Sequence, residues 1–136
     1  MSQRTLFLAR LLGLYCVLAA LLMVMQREAM ITAVTVLVHD GPLLLVLGVV
    51  TVPAGLALVL SHNVWSGGVL PVVVTLIGWL TLIKGLMFWL LPPAAAAQFY
   101  LKRLHYEQLF YLYAAMALVV GICLSVAGFR GTARPV

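Results

Sequence analysis

Four long apolar runs, separated by short polar breaks, dominate the chain. A membrane-crossing helix needs roughly 20 predominantly apolar residues. Runs over approximately 5–25, 40–60, 69–91 and 107–128 meet that length. The pattern predicts an all-α fold: an integral membrane four-helix bundle forming a single membrane domain over 1–136. The third run, VLPVVVTLIGWLTLIKGLMFWLLPP (69–93), sets the pattern for the others. Gly78 and Gly85 stand seven residues apart in it, and Lys84 is the only charged residue well inside an apolar run.

The breaks are marked by recognisable signals. Gln26, Arg27 and Glu28 end the first run, and no small-x-small cleavage site follows, so it reads as a retained membrane helix and not a signal peptide. AMITAVTVLV comes next, too short to span. His39-Asp40-Gly41-Pro42 then supplies a capping residue and an early proline for the second long helix. Pro53 lies inside that helix and predicts a kink over 49–53. Ser61 to Gly68 is a polar turn with an interfacial tryptophan, Trp65. In AAAAQFYLKRLHYEQ, Ala97, Tyr100, Leu101 and Leu104 share one helical face, and Gln98, Lys102 and His105 share another. This predicts short interfacial helices in the two long connections.

Small residues recur at sevenfold spacing in all four runs: Gly13/Ala20, Gly48/Gly55, Gly78/Gly85 and Ala114/Gly121. Residues seven apart share a face of helices crossing near +20°, and a missing side chain lets two backbones approach. These eight positions are expected to be helix-packing sites. Gly78→Leu or Gly55→Leu is accordingly expected to cost more stability than Leu44→Phe. An offset of 65 carries Gly13 onto Gly78 and Ala20 onto Gly85. An offset of 66 carries Gly48 onto Ala114, Gly55 onto Gly121 and His39 onto His105. The expectation is a 2+2 internal repeat whose halves have the same orientation, as in parallel-repeat transporters.

Composition narrows the partners. Of 136 residues, 65% are hydrophobic and only 8% charged, against about 25% in an ordinary soluble domain. Such a chain must be solvated mainly by lipid. The net charge of +5 does not imply nucleic acid, because the basic residues flank the apolar runs. Arg4, Arg10, Arg130 and Arg134 fall on one side of the predicted topology. Arg27, Lys102 and Arg103, with the acids Glu28, Asp40 and Glu107, fall on the other. This predicts a multi-pass protein of the bacterial inner membrane with both termini in the cytoplasm. Cys16 and Cys123 lie within apolar runs and read as buried small hydrophobes.

Candidate chemistry is sparse. An intramembrane charge is a functional candidate by default, so Lys84 heads the set, with Glu28, Asp40 or Glu107 as partners or a snorkelling role as the structural alternative. His39 and His105, each near a carboxylate (Asp40 and Glu107), can serve a haem or join a metal site. His62 reads as a capping or headgroup contact. Trp79 and Tyr15 lie mid-helix and read as core packing or as the wall of a quinone or lipid cleft. No Walker loop, HExxH, GxSxG or dinucleotide fingerprint is present, which weights the reading away from an enzyme.

The segments VHDGPLLLVLG, LSHNVWSGG and VVVTLIGWLTLIKGL together resemble a family of small four-helix bacterial inner-membrane proteins with no assigned activity. The resemblance covers about 38–91. It implies a fold and supplies no catalytic residues. Small multidrug and fluoride-channel proteins differ, since the first run here has no membrane-embedded glutamate. Three functions follow as expectations: an accessory, assembly or structural subunit packing against other membrane helices; a small oligomeric transporter or channel with Lys84 in its path; or a haem- or quinone-binding protein using His39 and His105.

Overall fold

The computed structural model describes residues 2–131, so Arg134 of the basic tail lies outside them. The described residues form six α-helices: α1 (Gln3–Met25), α2 (Arg27–His39), α3 (Gly41–Ser61), α4 (Val69–Leu90), α5 (Pro93–Ala97) and α6 (Phe110–Arg130). A π-helical stretch, Gln98–Arg103, continues α5. The described residues contain no strand. α1, α3, α4 and α6 are long and apolar enough to cross a membrane.

Local chemistry sets most ends. Ser2 caps α1 through the Thr5 amide, and the Asp40 carboxylate accepts from the Leu43 amide at the start of α3. Helix α3 continues unbroken through Pro53. The fourth long helix starts at Phe110 and not near 107, because the chain first turns through His105, where φ is 47° and the carbonyl accepts from the Leu109 amide. In the α3–α4 turn, Gly67 and Gly68 have φ of 90° and 124°, a region that side-chain-bearing residues rarely adopt. The wholly buried Thr75 hydroxyl fastens this turn, accepting from the Val64 amide and donating to the Val64 carbonyl at 3.0 Å each.

Two antiparallel pairs carry most of the packing: α1 with α6, and α3 with α4. Glycines lie in both seams. A β-carbon at Gly13 would stand 2.5 Å from Ser125 Oγ, and one at Gly121 would stand 2.7 Å from the Val17 amide nitrogen. In the other pair, a β-carbon at Gly55 would meet Leu82 Cα at 2.5 Å, and one at Gly85 would meet the Val52 amide nitrogen at 2.8 Å. Gly78 faces Leu58 and Val59 more loosely, and Gly48 lies against the Trp89 indole. Ala20 and Ala114 are buried.

Four positions differ from their sequence reading. Leu44 is 2% exposed and belongs to a core cluster with Phe88 and Ala96, so Leu44→Phe is no peripheral control for the glycine substitutions. Tyr15 is 68% exposed: it lies two residues from Gly13, which turns it away from the α6 seam. Cys123 is exposed and Cys16 half-buried, because each sits off the face that packs.

The pairs meet at one end through Ala9, Val74 and Leu124. There the Arg10 Nε–H donates to the Gly128 carbonyl at 2.8 Å, satisfying one of the last carbonyls of α6. The start of α1, the α3–α4 turn and the end of α6 thus share one end of the molecule. At the opposite end, α2 lies against α5.

Candidate functional site

A cleft of about 360 Å³ opens between the two helix pairs at the end where α2 and α5 meet. Its lining includes Lys84 and Phe88 of α4, with Tyr100, Leu104, Tyr106 and Tyr113 from the following connection and α6. Met23 of α1 and Val34, Leu37 and Val38 of α2 complete it. The volume lies within the range of small-molecule sites, and apolar walls with a few polar groups are their usual make-up.

Lys84 stands six residues before the end of α4, about 9 Å along the axis at 1.5 Å per residue. Its Nζ lies 5.6 Å from the centre of the Phe88 ring, a cation–π distance. Among the described residues no carboxylate is within ion-pair reach of it. The three acids proposed as partners are placed otherwise. Glu28 pairs with its neighbour Arg27 at 2.5 Å, Asp40 caps α3, and Glu107 is exposed.

The tyrosines form a connected aromatic set. Tyr106 stacks on Tyr113 with centroids 6.0 Å apart, and Tyr100 lies 5.7 Å from Phe88. Tyr113 donates its hydroxyl hydrogen to the Leu104 carbonyl at 2.7 Å. The Tyr100 and Tyr106 hydroxyls have no hydrogen-bond partner among the described residues and are not sealed from solvent. Burial pushes both phenols above the usual value. The sequence reading missed these residues. The available signal was density: four of the five tyrosines fall between 100 and 113. Tyr100 lies in the π-helical stretch, and such stretches are frequent at functional sites.

The structure does not gather His39 and His105 with Lys84. His39 Nδ1 engages the Thr35 carbonyl at 2.7 Å and lines an open depression with Asp40 and Pro42. His105 Nδ1 engages the Arg103 carbonyl at 3.1 Å. Neither histidine lines the Lys84 cleft. Among the described residues, no three or more His, Cys, Asp and Glu side chains group as a metal site would require. His62 is buried in the α3–α4 turn, where its Nε2 lies 3.3 Å from the Pro71 carbonyl. Trp79 is partly exposed, and its indole N–H donates to Asn63 Oδ1 at 3.4 Å.

The contacts on either side of the cleft correspond in register. Offsets of 65 from α1 and 66 from α6 turn the Gly13–Ser125 approach into Gly78–Val59, and the Val17–Gly121 approach into Leu82–Gly55. All four approaches are present. The same offsets relate residues of the cleft lining: Met23 to Phe88, Val34 to Tyr100 and Val38 to Leu104. Lys84 has only Ala19 as its counterpart.

Comparison of the chain with protein-family models, with curated proteins and with solved structures gives no match.

Proposed function

We propose that the protein is a small, non-catalytic, multi-pass membrane protein that binds a solute in the Lys84 cleft, as a transporter or channel does along its path. The observation that carries this reading is an ammonium group that, among the described residues, has no carboxylate within ion-pair reach and lines an apolar cleft with two phenols that have no hydrogen-bond partner there. Lys84 is exposed on the chain, so it is the membrane reading that sets it in apolar surroundings; an ionisable residue within a membrane segment commonly marks a solute path.

The matching registers support a second element of the proposal: the halves are an internal duplication related by an axis along the membrane normal, and the cleft lies on that axis. Transporters built from repeats place substrate sites at the repeat interface. Four helices enclose little volume, so conduction would require a homo-oligomer. The bacterial inner membrane and cytoplasmic termini complete the proposal, with Arg4, Arg10 and Arg130 at the cytoplasmic end.

Native mass spectrometry of protein released gently from its own membranes tests the site. A bound small molecule present on the wild type and absent from folded Lys84→Met supports it. An identical ligand profile in both refutes it.

The accessory-subunit reading keeps one specific support. In every long helix no more than 33% of the most apolar window is buried within the chain, which leaves broad faces for lipid or partner helices. Its small-residue faces, however, are engaged internally. One stoichiometric membrane protein co-purifying with this chain would favour that reading.

A further inference from the structure

We propose that the ligand of the Lys84 cleft is a monoanionic, single-chain amphiphile of the long-chain carboxylate class. This rests on the cleft being the working site, and it goes further by naming the chemistry. Lys84 is the only charged residue in the lining, and no acid within ion-pair reach neutralises it among the described residues. One negative charge balances it, whereas a phosphate dianion would leave an uncompensated charge in an apolar cleft.

Hydrogen-bonding capacity points the same way. An ionised carboxylate only accepts, with two oxygens and about four lone-pair sites. Lys84 offers ammonium donors, and the Tyr100 and Tyr106 hydroxyls are donors without another partner among the described residues. Tyr113 is already committed to the Leu104 carbonyl. The remaining lining excludes a small hydrated anion as the preferred occupant. Met23, Val34, Leu37 and Val38 would strip its water and return no hydrogen bonds, whereas an alkyl chain covers these side chains favourably.

The test uses the full-length protein in an uncharged detergent, with dodecanoate as the probe and dodecanol as the uncharged match. Binding is counted by native mass spectrometry and followed by thermal stabilisation. The expected result is one dodecanoate per chain, with dodecanol weaker by about tenfold or more, as for loss of a charge-assisted hydrogen bond. Lys84→Met should weaken dodecanoate by a similar factor, and Lys84→Arg should retain it. If Lys84→Met does not fold, the Tyr100→Phe/Tyr106→Phe double variant replaces it and should weaken dodecanoate several-fold and dodecanol distinctly less, since a phenol bonds an ionised oxygen more strongly than a neutral one.

Equal binding of dodecanoate and dodecanol, or dodecanoate binding indifferent to these substitutions, overturns the inference. Lys84-dependent retention of a neutral quinone in place of dodecanoate also overturns it, yet leaves the cleft as the working site. Loss of all Lys84-dependent binding removes both.

Discussion

Adding one methyl group at Gly55 should force the α3–α4 seam apart. A β-carbon there would lie 2.5 Å from both Leu82 Cα and the Leu82 amide nitrogen, and 2.9 Å from Leu82 Cβ. Ordinary van der Waals contact begins near 3.4 Å, so the helices must part by about 1 Å at this point. The obstacle is backbone and cannot turn aside as a flexible side chain would. Overpacking of this kind costs about 1–3 kcal/mol. A gap opened along the seam also weakens neighbouring dispersion contacts. Alanine's better helix propensity offsets about 0.5–1 kcal/mol. Gly55→Ala is therefore expected to destabilise by about 1–2 kcal/mol net. Gly41→Ala is the control: its β-carbon would stand 3.4 Å from Pro93 Cγ, an ordinary contact. Its effect should stay within about 0.5 kcal/mol. Thermal or denaturant unfolding in mild detergent reads both. Wild-type stability of Gly55→Ala, or an equal loss in Gly41→Ala, refutes the close-backbone account.

Other substitutions probe other links. Thr75→Val removes both ties to Val64 and leaves its amide unpaired, which should cost about 1–3 kcal/mol and speed proteolysis in the α3–α4 turn. Arg10→Met removes the donor to Gly128 and a cation near the α6 C-terminus, for about 1 kcal/mol, with faster amide exchange confined to the last turn of α6. Folded Tyr100 and Tyr106 hold their phenol protons above the usual range because the charged form is desolvated, so the unfolded chain loses these protons first. Their contribution to stability is present below the ordinary phenol value and declines as pH rises through the folded values. A double Tyr→Phe variant should show a shallower decline over that window in pH-dependent melting.

The long helices were legible because an apolar run near bilayer length has few alternatives, and their assigned limits fall within a few residues of the sequence reading. The start of α6 moved to Phe110 because the left-handed turn at His105 depends on backbone contacts that composition does not encode. Sevenfold spacing marked Gly13, Gly55, Gly85 and Gly121 as small-residue positions, but it could not say which helices meet. Hence the Arg10–Gly128 link, which requires α1 beside α6, was invisible. Lys84 stood out as a lone charge, yet it lies over Phe88 and not beside an acid, since Glu28 and Asp40 are engaged next to their own positions. Two of the cleft tyrosines, Tyr100 and Tyr106, come from a connection whose π-helical stretch alters the usual periodicity.

Close approach of helix backbones at the glycines, leaving a cleft between two pairs, is the claim on which the account turns. Backbone NMR of the labelled protein in bilayer-like particles, with a nitroxide dissolved in the lipid, tests it without altering a residue. The Gly13, Gly55, Gly85 and Gly121 amide signals should persist, while those of the outward-facing Leu18, Leu45, Leu80 and Val119 are attenuated. Attenuation of the glycines as strong as that of the leucines would contradict it.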